Sequence, residues 1–155
     1  MVQPNVAHHP FGVEVPMRWG DMDAFGHVNN VAFHRYLEEA RILAFAEWFE
    51  GWTGGAQDRP VVLLARQEVE YLAQLHYGPR PVFIEMWVSD VGGASWDLGY
   101  EMRSGPDSEE TLYLRAESTI VAFDVERQRP RSLTDHERTV LGRYTGEPVA
   151  MRRRR

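Results

Sequence analysis

Asp21, Asp23, His27, Asn29 and Asn30 crowd into one stretch of the chain, Trp19-Gly20-Asp21-Met22-Asp23-Ala24-Phe25-Gly26-His27-Val28-Asn29-Asn30. It is the densest cluster of chemically useful groups in the sequence. A carboxylate here can attack a carbonyl carbon or deprotonate a water. The apolar spacing of a helix begins directly afterwards. The first N–H groups of a helix lack internal acceptors and carry partial positive charge. They can therefore hold an oxygen that gains negative charge during acyl transfer. Gly26 allows a tight turn or a close approach to substrate. Two plainer readings compete. In one, the aspartates only satisfy backbone N–H groups and His27 packs. In the other, Asp21-x-Asp23 opens a calcium loop with Gly26 at its sixth position. Phe25 and Ala32 then occupy the fifth and twelfth positions, so two oxygen ligands are missing. With no second histidine nearby and only His8 and His9 upstream, no metal site is expected.

The elements that must position this stretch are legible from periodicity. Val13-Glu14-Val15-Pro16-Met17-Arg18-Trp19 alternates and carries one proline, which predicts an edge strand. Phe33, Tyr36, Leu37, Ala40, Leu43, Ala44 and Trp48 recur at steps of three and four, which predicts a helix of roughly 20 residues, or about 30 Å. Asn29 or Asn30 can cap its start, and Gly51, Gly54 and Gly55 can end it. Residues 61–75, 82–91, 94–103 and 112–125 are rich in Val, Ile, Leu, Phe, Tyr and Trp. Between them lie the turn signals Gly78-Pro79, Gly92-Gly93 and Gly105-Pro106-Asp107. Short connections imply antiparallel neighbours. The expected fold class is α+β, one long helix against a single meandering antiparallel sheet. Arg66-Gln67-Glu68-Val69-Glu70-Tyr71 is too polar for a strand buried on both sides, so pairing of two copies is one way to complete the core.

Composition narrows the function classes. The 155 residues suit one domain, with no internal repeat and no dividing linker. We expect a single domain over 1–155, with a core at about 13–141 and a basic C-terminal tail. The chain has no cysteine, which excludes disulfides, thiolate nucleophiles and cysteine metal sites. The first residues lack the basic start and apolar core of a secretory signal, and no apolar stretch is long enough to span a bilayer. The expected location is cytoplasmic, with no membrane partner. All 17 basic residues are arginine. Residues 1–126 hold 8 Arg against 20 acids, and residues 127–155 hold 9 Arg against 3. An acidic body argues against nucleic acid as a partner, because phosphate neutralisation needs a basic face. The basic C-terminal stretch could still meet a small anion such as a nucleotide phosphate; for Arg152–Arg155 a solvated tail is the simpler expectation.

The run Asp21 to Asn30, with Tyr36, Glu39, Ala40 and Arg41, resembles the signature of the 4-hydroxybenzoyl-CoA thioesterase family. It is most similar to the bacterial acyl-CoA thioesterase branch that carries Gly-His-Val-Asn-Asn. Tyr71-Leu72 with His76-Tyr77-Gly78, and Gly93-Ala94-Ser95-Trp96, resemble later strands of that family. The resemblance implies the hotdog fold, a sheet wrapped around one long helix, working as a homodimer or tetramer. It implies an acyl-CoA or acyl-carrier-protein thioester hydrolase acting on an apolar acyl group, with no cofactor. It carries the catalytic carboxylate to Asp23, the carbonyl-polarising backbone N–H to Asn30, the loop glycine to Gly26 and a supporting role to His27. Asp21 then shapes the loop.

Two departures stand out. Phe33 sits where the family often has tyrosine, and Asp90-Val91-Gly92-Gly93-Ala94 has no positive charge where the best-known member binds the coenzyme A nucleotide. Coenzyme A contacts would then come from Arg127, Arg129 or Arg131. Ser95 could hydrogen-bond the substrate or the nucleophilic water, though a strand-start turn residue is the simpler reading. Glu68, Glu70 and His34 read more simply as solvated groups, and Trp19, Phe25 and Trp96 as packing or pocket rim. Two other functions fit the same fold: a hydroxyacyl dehydratase or hydratase pairing His27 with Asp23, and a non-catalytic acyl-binding accessory protein. The His-Phe-Pro-type dehydratase motif is absent. No Gly-x-Ser-x-Gly elbow and no phosphate-cradling glycine loop occurs.

Overall fold

The long helix forms where the three- and four-residue spacing placed it. In this computed structural model, which describes residues 10–49 and 61–152, helix α1 spans Asn30–Trp48. Ala32, Phe33, Tyr36, Leu37, Ala40, Arg41, Ala44 and Trp48 are its buried positions, one continuous stripe. Asn29, not Asn30, is the cap: its side chain accepts from the Val31 N–H at 3.0 Å. The glycines expected to end the helix lie outside the described residues.

The sheet is antiparallel throughout. Its strands are β1 (Phe11–Val15), β2 (Val62–Tyr71), β3 (Val82–Val91), β4 (Ser95–Arg103) and β5 (Leu112–Asp124), in the spatial order β1-β3-β4-β5-β2. A two-residue strand β6 (Arg129–Pro130) adds to β5, and helix α2 spans Asp135–Gly142. Alternation decides which face is core. Val82, Ile84, Met86 and Val88 point inward from β3, Trp96, Leu98, Tyr100 and Met102 from β4, and Leu114, Ala116, Ser118, Ile120 and Ala122 from β5. Each large apolar side chain fully buried in this way contributes about 1.5–3 kcal/mol. Helix α1 lies across this inner face, which is the expected α+β hotdog arrangement.

β1 is an edge strand as expected, but it stops at Val15 and does not reach Trp19. Pro16 follows with no N–H to give the ladder, and Trp19–Asp21 forms a single 3-10 turn instead. β2 ends at Tyr71, four residues before the expected limit, and residues 72–75 become a wall of the site described below. β2 also forms the opposite edge, and Leu63, Leu64, Tyr71 and Leu72 along it are exposed.

The chain ends in a strap over the outer face. Val88 donates to the Tyr144 carbonyl and Gly146 to the Val88 carbonyl, both at 2.8 Å. The Trp87 indole donates to the Glu147 carbonyl at 2.7 Å, and Val149 is buried. Beside the indole, Gly99 and Gly146 leave room that a Cβ would fill, at 2.6 and 2.7 Å from ring atoms. No helix among the described residues is long and apolar enough to cross a membrane.

Candidate active site

Asp23 sits in a turn that its own side chain builds. Its Oδ1 accepts from the backbone N–H of Phe25 at 2.8 Å and of His27 at 3.0 Å. Its N–H donates to the His27 carbonyl at 2.7 Å, and its carbonyl accepts from Gly26 at 3.1 Å. The chain can close so tightly because Gly26 adopts φ +79, a conformation that side chains disfavour. One carboxylate oxygen is thus spent on holding the loop. The other, Oδ2, makes no hydrogen bond among the described residues.

Asp21 is used differently. Its Oδ2 accepts from the Tyr36 hydroxyl at 2.9 Å, and its carbonyl accepts from the Asn29 N–H at 2.8 Å. Burial, and Asp21 as acceptor and neighbouring charge, push the Tyr36 hydroxyl up to about 12. Asp21 therefore ties the loop to the buried face of α1.

At the helix start, Asn29 caps the Val31 N–H and its carbonyl accepts from Ala32 at 2.9 Å. The Asn30 N–H has no acceptor among the described residues. It borders a groove of about 350 Å³ between the start of α1 and the end of β2. His27, Val28 and Phe33 line one side, and Tyr71, Leu72 and Leu75 the other. The Tyr71 ring meets Phe33 edge-on at 5.4 Å, and its hydroxyl reaches the Asn30 carbonyl at 3.3 Å. Asp23 is not itself a lining residue; its link to the groove runs through His27.

The candidate residues thus form two groups. Asp23, Gly26, His27 and Asn30 come together at the N-terminal end of α1. Ser95, Arg127, Arg129 and Arg131 gather at the other end. Ser95 pairs with Val121, which pairs with Leu63 at the start of β2. The next residue, Trp96, packs on Phe45, twelve positions beyond Phe33 on the helix, or about 18 Å along its axis. Arg131 donates to the Ala122 carbonyl, and Ala122 to the Ala94 carbonyl, both at 2.9 Å. The arginine segment therefore lies beside the charge-free turn that precedes Ser95. Arg131 is held by Glu137 through two bonds of 3.0 and 2.6 Å, and Arg127 lies 3.9 Å from Asp124. Arg138, not singled out in the sequence, reaches the Gly93 carbonyl at 3.2 Å.

Other candidates resolve into ordinary roles. Glu68 pairs with Arg66, and Glu70 accepts from the Arg152 N–H. His34 meets Gln67 at 2.9 Å. Trp96 is core, whereas Trp19 and Phe25 are 71% and 82% exposed. Among the described residues no group of three or more His, Asp or Glu side chains is placed to hold a metal ion.

The family model of the thioesterase-like superfamily matches residues 17–141. The chain belongs to the thioesterase-like superfamily. The match spans the loop, α1, β2 to β5 and α2, and stops before the strap. The thioester-hydrolase class read from the sequence agrees with it. An uncharacterised protein, YsmA of Bacillus subtilis (strain 168), is 30% identical over 129 residues, which cover 83% of this chain and 82% of the relative. A structure described as a predicted thioesterase from Bacillus stearothermophilus superposes with a TM-score of 0.78 at 23% identity, covering 91% of this chain and all of that one. A Thermus thermophilus thioesterase complexed with coenzyme A and Zn superposes with a TM-score of 0.71 at 26% identity, covering 89% and 96%.

Proposed function

We propose that this thioesterase-superfamily chain hydrolyses acyl-CoA thioesters with an apolar acyl group, using Asp23 as nucleophile or general base. The observation that carries this reading is the division of labour on one carboxylate. Oδ1 is pinned by two backbone N–H groups while Oδ2 makes no hydrogen bond among the described residues, one short loop from a helix-start N–H that likewise has no acceptor among them. The Asn30 N–H donates to the thioester carbonyl oxygen as charge builds on it. Oδ2 either takes a proton from water, whose oxygen then adds to the carbonyl carbon, or attacks that carbon to give an anhydride that water opens. In both routes the carbon–sulfur bond breaks and the thiol leaves. Val28, Phe33, Leu72 and Leu75 make the groove suited to an apolar acyl group.

The two groups of candidate residues suggest where coenzyme A extends. Suppose two copies pair antiparallel along their open β2 edges. The Tyr71 end of one copy then meets the Val62 end of the other. That brings Asp23, Gly26, His27 and Asn30 of one copy towards Ser95, Arg127 and Arg129 of its partner. We propose this composite homodimer site, in the manner of the acyl-CoA branch of the 4-hydroxybenzoyl-CoA thioesterase family.

The test is thiol release from a panel of acyl-CoA esters. Turnover of apolar aliphatic or aromatic esters is expected, with short charged esters at least about tenfold poorer, the scale on which an apolar pocket discriminates. Hydration of enoyl-CoA without thiol release would replace this reading with a hydratase. Binding without any turnover would replace it with an acyl-binding protein.

A further inference from the structure

We propose that His76 is a positioning residue for Asp23, acting through His27. The inference rests on Asp23 being the catalytic carboxylate. The Asp23 turn is held from outside by the segment that follows β2. Val28 donates to the Leu75 carbonyl at 2.8 Å, and Tyr77 donates to the Gly26 carbonyl at 3.2 Å. These bonds frame His27 and His76 as directly opposed residues of a short antiparallel bridge. Their rings meet edge-to-face with centroids 4.6 Å apart. Phe25 stands near His27 too, with centroids 6.5 Å apart. His27 in turn binds Asp23 through both of its backbone polar groups, its N–H on Oδ1 and its carbonyl on the Asp23 N–H.

The physical consequence follows from that chain of contacts. Oδ1 is fixed by the His27 and Phe25 N–H groups, so the direction of Oδ2 depends on where the backbone of His27 sits. The groove is lined by His27 and not by His76, so any effect of His76 on the site passes through His27. An edge-to-face ring contact is a weak but directional attraction beyond area burial. That is too little to decide whether the protein folds. It is enough to bias a loop between arrangements that aim Oδ2 at a carbonyl carbon and arrangements that do not. A misplacement of about 1 Å can cost 10²-fold in rate. His76 is solvent-exposed, so its replacement leaves the core intact, and the ring rather than its charge is what the geometry uses.

The experiment compares wild type with His76→Ala, His76→Phe, Asp23→Asn and the double variant Asp23→Asn/His76→Ala. The readouts are thiol release on one acyl-CoA ester and thermal melting. Expected is a fall in kcat of about tenfold for His76→Ala, with KM within about twofold and the melting midpoint nearly unchanged. His76→Phe restores most of the lost kcat because the ring is back. The double variant turns over no more slowly than Asp23→Asn alone, because both changes act on one group. Full turnover by His76→Ala, a loss that His76→Phe leaves in place, or a loss that multiplies with Asp23→Asn would each overturn the proposal. Near-normal turnover by Asp23→Asn would instead bring down the underlying reading, and the role of His76 with it.

Discussion

Two aspartates one residue apart are chemically the same group, and the chain separates them by what each oxygen is given. Asp21 is bonded to a buried tyrosine hydroxyl; Asp23 has one oxygen locked by the loop and the other open. Replacing Asp23 with asparagine keeps the shape and removes the carboxylate on which the proposed mechanism rests. Asp23→Asn is expected to lower kcat by about 10²–10⁴-fold, with little change in the binding of a non-hydrolysable substrate analogue measured by calorimetry. Asp21→Ala should instead cost about 1–3 kcal/mol of stability, since it strands the Tyr36 hydroxyl, and should cost much less turnover. Denaturant melts beside kinetics separate these outcomes, and an inactive but stable Asp21→Ala would reverse the assignment. Tyr36 adds an alkaline signature. Its hydroxyl is pushed up from the ordinary tyrosine value of 10.0 to about 12, so the folded state holds that proton more tightly than the unfolded chain. Its contribution is intact below about pH 10 and is lost as the pH rises through about 12. Tyr100 and Tyr71 are raised as well, so a flatter alkaline loss in Tyr36→Phe than in wild type is the specific expectation. The sequence puts both aspartates in one loop before the helix, but which of them is tied up depends on a tyrosine fifteen residues beyond Asp21, which spacing does not reveal.

Periodicity works where an element has one wet face and one dry face, and α1 and the inner strands have this property. The apolar stripe from Phe33 to Trp48 and the alternation along β3, β4 and β5 are both readable for that reason. It fails where hydrogen bonding, rather than burial, sets the boundary. The first strand reads through to Trp19 because its side chains alternate, yet the ladder ends before Pro16. Helix α2 is short and polar, so its apolar pattern is faint. Its start carries a mark all the same, because Thr134-Asp135-His136-Glu137 is a capping box, and both of its bonds are present. The cap of α1 bears on the proposed mechanism, since it sets the geometry of the helix start, whose first residue lines the groove. Asn29→Ala should cost about 1 kcal/mol of stability and several-fold in kcat, whereas Asn29→Ser, which also caps, should recover both. A stability loss with unchanged kcat would show that the helix start takes no part in the reaction.

The open edge of β2 and the strap over the outer sheet face together set how copies can meet. The strap seats Trp87 and Val149 across that face, and it lies beyond the stretch matched by the family model. Among the described residues the outer edge of β2 pairs with no strand, and Leu64 is 48% exposed where its ladder could continue. The polar run from Arg66 to Tyr71 hints at pairing of two copies, but the strap and the edge position of β2 are not readable from the chain in advance. In the sequence, the 127–131 arginines read as coenzyme A contacts and Ser95 as a strand-start turn residue or substrate contact, with no hint of their distance from Asp23; the topology sets them at the far end of α1. An antiparallel, two-fold pairing of β2 edges is the arrangement that reunites the groups. It predicts a dimer by light scattering at micromolar concentration, and a stronger result by complementation. Asp23→Asn removes the base from both sites of a dimer, and Arg127→Ala/Arg129→Ala removes the cations from both. When the two variants are unfolded together and refolded in equal amounts, half of the dimers are hybrids. One of the two sites in each hybrid joins an intact Asp23 to intact arginines, and the other carries both defects. The mixture should therefore recover roughly a quarter of the wild-type thiol release at low acyl-CoA concentration, well above either variant refolded alone. Activity equal to the mean of the two variants would mean that each site takes its carboxylate and its arginines from one chain, and the composite site would have to be abandoned.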